Sequence, residues 1–251
     1  MSPCTTLRHP VLSIVIPLFN EEESLPLTIA AIFQVLDNNP DFLELVLVDD
    51  GSRDKTAALA QEFASKDPRI RLVRHERNRG LGAAIRTGLA AAEGELVLYT
   101  DADLPFDFRL IPQLVALAKP NQIVIGCRQN RGEGGRRWLL SKGYNLLCRL
   151  ALGVWVKDVN FACKLLPRLA VRHMNLQAEG SFIDAEMLLE CRRLGFEIAE
   201  MPMTYYPRTV GESTLSRPRV VWVILEEMFR YFLRNAFAHY EIAEEANSQR
   251  R

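Results

Sequence analysis

The sequence has no surplus of either charge. Its 251 residues carry 31 Lys and Arg against 31 Asp and Glu. Proteins that bind nucleic acid through its phosphates usually carry a basic excess, so nucleic acid is not an expected partner. Long apolar runs are also missing. The longest, Val220 to Leu225, has six residues, whereas a membrane-spanning helix needs about 20. The opening stretch Met1 to Pro10 is short and polar and lacks the apolar centre of a signal peptide. Cysteine is sparse: five residues, at 4, 127, 148, 163 and 191, with no Cys-x-x-Cys spacing. That suggests neither a disulfide framework nor a zinc site and suits reduced, partly buried thiols in a cytosolic protein. The four His residues, at 9, 75, 173 and 239, show no ligand spacing. There is no Walker A lysine motif. Gly80-Leu-Gly82-Ala-Ala-Ile85 lacks the third glycine of a dinucleotide fingerprint and follows the third strand, not the first. Gly211-Glu-Ser213-Thr-Leu215 fails the nucleophile-elbow pattern at its last position.

What is present is a regular alternation of buried strands and amphipathic helices. Leu12–Ile16, Leu45–Val48, Ile70–Val73, Glu95–Tyr99 and Ile123–Ile125 read as strands, the first stopped by Pro17. Leu25–Leu36, Lys55–Ala64, Leu81–Ala92 and Leu110–Ala118 have helical spacing, with Ser24 placed to cap the first and Ser52 or Asp54 the second. Such alternation predicts an α/β fold with a mostly parallel, Rossmann-like sheet and helices on both faces. Beyond Cys127 the pattern is less regular. Residues 128–137 read as a Gly- and Arg-rich loop, Trp138–Leu152 and Phe182–Leu194 as helices, and Ile198–Tyr205 as a strand.

Ligands of open parallel sheets bind beyond the carboxyl ends of the strands. Those positions hold Pro17-Leu-Phe19-Asn-Glu21 after the first strand and Asp49-Asp50-Gly-Ser after the second. Asp101-Ala-Asp103 follows the fourth, and Gly-Cys-Arg128 the fifth. As a string, Asp-x-Asp is weak. Its place after a buried strand gives it weight, because two carboxylates there can share a divalent cation with substrate phosphates. Asp49-Asp50-Gly-Ser serves equally as a turn and helix cap, or as an acceptor for a nucleobase N–H. Residues 126–157 carry seven Lys or Arg against one Glu, which suits a site for an anion.

In order, these motifs resemble the family 2 glycosyltransferases with the GT-A fold. The resemblance runs through Ile14–Glu22, Val48–Ser52, Asn78–Ala84 with Gly88, Asp101–Leu104, Ile125–Arg128, Ser141–Asn145, Asp158–Lys164 and Arg208–Ser213. It is strongest to the subgroup that moves a sugar onto a polyprenyl phosphate, typified by dolichyl-phosphate mannose synthase. It implies an inverting transfer of a hexose, mannose or glucose, from a GDP- or UDP-sugar to a polyprenyl or dolichyl phosphate. By this resemblance Pro17, Phe19, Glu21, Asp49 and Asp50 hold the nucleoside, and Asp101 and Asp103 hold Mg²⁺ or Mn²⁺ on the diphosphate. Arg208 touches the diphosphate, Arg128 and Lys142 hold the acceptor phosphate, and Asp158 stands at the reaction centre. Three positions depart from the family pattern. Pro105 replaces a Gln two residues after the second metal Asp, Cys127 replaces a Ser, and Phe19 replaces a Tyr.

The resemblance divides the chain into an N-terminal extension (1–10), the GT-A domain (11–215), an amphipathic helix (216–243) and a disordered tail (244–251). In the helix, Val221, Leu225, Met228 and Phe232 form one apolar stripe and Trp222, Phe229, Leu233 and Phe237 a second. Glu226, Glu227, Arg230, Arg234 and Glu241 are expected on the remaining face. A wide aromatic arc near Arg217 and Arg219 suits a helix lying in a bilayer surface, hence a peripheral protein at the cytoplasmic face of a membrane. Packing on its own domain, on a second copy, or on an integral-membrane partner would cover the same arc. Two rivals remain. A sugar-1-phosphate nucleotidyltransferase is disfavoured by the acidic loop after the first strand. A catalytically silent nucleotide-sugar-binding protein is favoured only by Pro105.

Overall fold

The computed structural model describes residues 12–37, 43–129, 143, 144, 148, 149, 153, 155–206 and 222–235. Seven strands form one sheet: β1 (Leu12–Leu18), β2 (Leu43–Asp49), β3 (Ile70–Arg74), β4 (Leu96–Thr100), β5 (Gln122–Arg128), β6 (Cys163–Pro167) and β7 (Glu197–Met203). Their order across the sheet is β3-β2-β1-β4-β6-β5-β7. All pairings are parallel except those of β6, which runs antiparallel between β4 and β5. The expected GT-A type of sheet, mostly parallel, is what forms.

Strand direction splits the core in two. On β1, Val15 joins Val46, Val48, Val97 and Tyr99 on one face, while Ile14 and Ile16 join Leu45, Leu47 and Leu98 on the other. The first face is covered by α3 (Leu81–Ala91), by α6 (Ile183–Arg193) and by the helix α7 over 222–235. The second is covered by α1 (Leu25–Leu36), α2 (Thr56–Lys66) and α4 (Ile111–Leu117). A short α5 (Arg168–His173) follows β6. Because both faces are covered, the strands read as continuous apolar runs in the sequence.

Four expectations need correcting. Pro17 does not stop β1; it pairs with Val48 inside the strand. The Leu18 carbonyl accepts from Asp50 N on the β2 side. By alternation the missing Pro17 N–H faces β4, whose ladder with β1 has already ended at Val15–Tyr99. Ser24 stands at the N-cap of α1 without a capping hydrogen bond, because its hydroxyl donates to Glu21 Oε2 at 2.5 Å. The cap position of α2 is Lys55, although Asp54 Oδ1 does accept from Thr56 N. Strand β6 and helix α5 were not expected at all. Of the expected helix 138–152, only 143, 144, 148 and 149 are described, all helical.

Helix α7 is anchored along one side. Ile224 and Tyr231 are buried, and Tyr231 meets the Phe182 ring edge-on with centroids 6.1 Å apart. Glu227 Oε1 accepts from the backbone N–H groups of Glu179 and Gly180, and Arg234 pairs with the buried Glu186 at 2.9 Å. Glu227 and Arg234 therefore face the domain, not solvent as their polarity suggested. Trp222, Phe229 and Leu233 are exposed, Trp222 by 73%.

Candidate active site

The site lies where the strand order reverses, between β1 and β4, at the carboxyl ends of the parallel strands. The two loops beyond β1 and β2 are stitched together. Asn20 N donates to Ser52 Oγ (3.0 Å), Arg53 N to Asn20 Oδ1 (2.9 Å), and Glu21 N to Thr56 Oγ1 (2.7 Å). Asn20 takes a left-handed backbone, φ 56°. The other non-glycine residue of positive φ among those described is Leu104, φ 53°, at the end of the Asp101–Asp103 turn. Both turns of unfavourable backbone geometry thus sit at this edge, as strain at functional sites tends to do.

Beyond β2, Asp49 is fully buried. Its Oδ1 accepts from Ser52 N at 3.1 Å, and its Oδ2 lies 3.3 Å from Arg74 Nε. Asp50 is turned into its own chain. Its Oδ1 accepts from Arg79 N (2.9 Å) and lies 2.6 Å from His75 Nδ1, and its Oδ2 accepts from Gly80 N (2.8 Å). The buried His75 reaches Thr87 Oγ1 with its other nitrogen, at 2.9 Å. Asp50 thereby clamps the 75–80 segment beside Gly51. A side chain on Gly51 would meet the Arg77–Asn78 backbone at 2.6 Å, and its φ of +69° also favours glycine. Pro17 is buried in β1, while Phe19 is 42% exposed at the rim.

Beyond β4, Asp101 and Asp103 flank Ala102, whose carbonyl accepts from the buried Thr28 hydroxyl of α1 at 2.5 Å. The Tyr99 hydroxyl donates to Asp101 Oδ1 at 3.1 Å. Burial pushes the Tyr99 phenol well above its ordinary value, and the charges of Asp101, Asp184 and Asp103 add to that. Both carboxylates of the turn therefore act on one hydroxyl. Among the described residues, no group of three His, Cys, Asp or Glu converges as a metal cage. Two carboxylates on one turn nonetheless fit a hard divalent cation that takes its other ligands from phosphate and water. Pro105 adds no side-chain oxygen; its carbonyl accepts from Tyr206 N at 3.1 Å.

Beyond β5 stands Arg128. Its Nε lies 3.0 Å from Asp158 Oδ2, with both side chains almost fully buried. The guanidinium also covers the Tyr205 ring at 4.5 Å and lies 5.7 Å from the Phe161 ring centre. These contacts need space below the strand, and Gly126 supplies it: a Cβ there would meet the Phe161 ring at 2.5 Å. Next to this pair, Lys164 Nζ donates to Asp184 Oδ1 at 2.5 Å. Burial pushes the Asp184 carboxyl up, against the pull of Lys164 and then of Arg128.

Of the residues singled out from the sequence, the structure brings Asp49, Asp50, Asp101, Asp103, Arg128 and Asp158 to one edge, with Phe19 and Glu21 on the first loop. Lys142 and Arg208 lie outside the described residues. Thr28, His75, Tyr99, Lys164 and Asp184 were missed. Lys164 and Asp184 carried a signal in retrospect, each being a charged residue inside an apolar stretch.

Residues 13–174 match the profile described as glycosyl transferase family 2. The chain belongs to that family. It is 34% identical over 229 residues to a dolichyl-phosphate beta-glucosyltransferase of Trichomonas vaginalis, covering 81% of this chain and 69% of that protein. It is 32% identical over 228 residues to a dolichol-phosphate mannosyltransferase of Pyrococcus furiosus, covering 87% of this chain and 62% of the relative. The match to glycosyltransferase AglD of Haloferax volcanii is 29% identical and covers 78% of this chain but only a third (33%) of the relative. The chain thus spans less than two thirds of these last two proteins. Among solved structures, glucosyl-3-phosphoglycerate synthase of Mycobacterium tuberculosis with phosphoglyceric acid superposes with a TM-score of 0.67. That match is 24% identical and covers 90% of this chain and 85% of that one. The same enzyme with Mn²⁺ and UDP-glucose gives a TM-score of 0.63 at 26% identity, covering 80% and 72%.

Proposed function

We propose that this protein transfers a hexose, glucose or mannose, from a UDP- or GDP-sugar to a polyprenyl or dolichyl phosphate, with inversion at the anomeric carbon and dependence on a divalent cation. The observation that carries this is the Asp101–Asp103 turn at the strand switch point, with the Arg128–Asp158 pair two strands away on the same edge. Relatives named for transfer to dolichyl phosphate support the acceptor class. A structural neighbour holding Mn²⁺ and UDP-glucose supports the donor class and the cation.

In this reading Asp101 and Asp103 hold Mg²⁺ or Mn²⁺, which would neutralise the charge on the departing nucleoside diphosphate. Pro17 and Phe19 form an apolar wall for the base. Glu21, Asp49 and Asp50 set the loops around the nucleoside, and Arg208 meets the diphosphate. Arg128 and Lys142 hold the acceptor phosphate. One of its oxygens attacks the anomeric carbon as the bond from that carbon to the diphosphate oxygen breaks. The acceptor is already anionic near neutral pH, so it needs little help in losing a proton. Asp158 therefore orients Arg128 rather than serving as a strong base. A phosphate meeting the guanidinium gains a directed, charge-assisted contact in a poorly hydrated place.

The acceptor's lipid tail places the protein at a membrane surface. Among the described residues, no helix is long and apolar enough to cross a membrane. The exposed Trp222, Phe229 and Leu233 of α7 suit in-plane contact with lipid, giving reversible attachment rather than permanent anchoring. Transfer from labelled UDP-glucose and GDP-mannose, with and without polyprenyl phosphate and with and without chelator, tests the function. Turnover that persists in chelator would remove the metal from the scheme.

A further inference from the structure

Lys164 is the second residue of β6, which lies between β4 and β5, and is fully buried. An ammonium there must give up its water, and an apolar side chain of similar size would fill the position without that cost. The charge is held by Asp184 Oδ1 at 2.5 Å and by the Phe161 carbonyl at 3.0 Å. Its cross-strand neighbour on β4 is Tyr99, and Lys164 Nζ stands 5.5 Å from the centre of that ring. Tyr99 in turn donates its hydroxyl hydrogen to Asp101 Oδ1 at 3.1 Å. Contacts therefore run unbroken from α6, through Asp184, Lys164 and Tyr99, to a carboxylate at the sheet edge. Tyr99 is 1% exposed and Asp184 5%, so water does not loosen the line.

We infer that Tyr99, seated on the Lys164–Asp184 pair, is a positioning residue that fixes the Asp101 carboxylate for a divalent cation, offsetting the side-chain ligand that Pro105 does not provide. The inference rests on Asp101 and Asp103 being the metal ligands. Its physical content is pre-organisation. A carboxylate already held at one oxygen loses less rotational freedom when it takes up a cation. The hydroxyl holds its place only if the ring does, and the ring is pinned by the cation at its face. The antiparallel register of β4 and β6 sets Lys164 directly opposite Tyr99.

The test is Mn²⁺ binding, read by electron paramagnetic resonance with UDP present, on the wild-type chain and on Tyr99→Phe. The substitution keeps the ring over Lys164 and removes only the hydroxyl. We expect the Mn²⁺ dissociation constant to rise about tenfold, the lower end of the usual effect of losing a partner behind a metal ligand. UDP binding in chelator and the melting temperature should stay near their wild-type values. Asp184→Asn, which weakens the seat rather than the hydroxyl, should move Mn²⁺ affinity in the same direction by less. Wild-type Mn²⁺ affinity in Tyr99→Phe would overturn the positioning role while leaving the metal site standing. Loss of Mn²⁺ and chelator-insensitive UDP binding together would make Tyr99 merely structural, which also overturns it. A wild-type chain that binds no Mn²⁺ in the presence of either UDP or GDP would overturn the metal site itself, and the positioning role with it.

Discussion

Arg128 Nε and Asp158 Oδ2 stand 3.0 Å apart in a nearly dry setting, with the guanidinium laid over the Tyr205 ring. The two residues are 30 positions apart in the chain and work as one unit. A buried charge that loses its partner is costly, so the unit is best tested as a pair. Arg128→Ala removes the guanidinium from beside the buried Asp158 carboxylate and should destabilise the fold by about 3–5 kcal/mol. Replacing both, as Arg128→Gln with Asp158→Asn, should recover much of that loss. Urea denaturation of the wild type and of these two variants checks this, and equal losses in the single and double variants would deny the coupling.

The proposed metal dependence is tested at the turn after β4. Asp103→Asn keeps the shape and removes a charge. It should cost several kcal/mol of transition-state stabilisation, or about two to three orders of magnitude in turnover. The melting temperature in the absence of cation should hardly change, because this carboxylate lies at the edge of the core. A loss of less than threefold would place the cation elsewhere.

The exposed aromatic side of α7 can be removed without touching its anchored side. Trp222→Ser with Phe229→Ser should abolish sedimentation with anionic liposomes while leaving stability within about 0.5 kcal/mol, as for other exposed positions. Binding of the wild type should weaken with salt. If the wild type instead forms dimers in solution that the double variant breaks, the face belongs to a second copy of the chain.

Alkaline stability depends on the buried thiols. Burial raises Cys148 to about 11, and Cys163 and Cys191 each to about 12, from an ordinary value near 9.0. A group whose value is raised in the folded state keeps its proton there while the unfolded chain loses it. Stability should therefore be unaffected by these thiols below pH 9 and fall steadily from pH 9 to 12. At lower pH the native thiols should resist a disulfide reagent until the chain is unfolded. Rapid reaction of all three in the native protein would contradict their burial.

Much of the first half was legible because its strands are buried on both faces. Leu45-Val-Leu-Val48 can hardly be anything but a strand between two helices, and the strand ends then locate Asp49, Asp101 and Asp103. Strand β6 was not legible. It is five residues long, carries Lys164 at its second position, and ends at Pro167. Its charge is tolerated because Asp184, twenty residues on, arrives from α6 and the Phe161 carbonyl accepts a second hydrogen bond. The same non-locality hid the Arg128–Asp158 pair, whose members were each singled out but never as partners. Asp50 looked like a ligand for the nucleoside, yet its oxygens hold the backbone of Arg79 and Gly80, contacts that depend on how the 75–80 segment folds back.

In the proposed reaction, the Asp101–Asp103 turn and the Arg128–Asp158 pair serve one metal-dependent transfer of a sugar to a lipid phosphate. The most direct measurement is the formation of glycosyl-phosphoryl lipid from labelled UDP-glucose or GDP-mannose and a polyprenyl phosphate in detergent. Product should appear with Mn²⁺ or Mg²⁺, vanish in chelator, and fall by at least about a hundredfold in Asp103→Asn. Transfer undiminished by chelator, or no transfer to lipid phosphate from either donor when Mn²⁺ and nucleotide are both bound, would contradict the account.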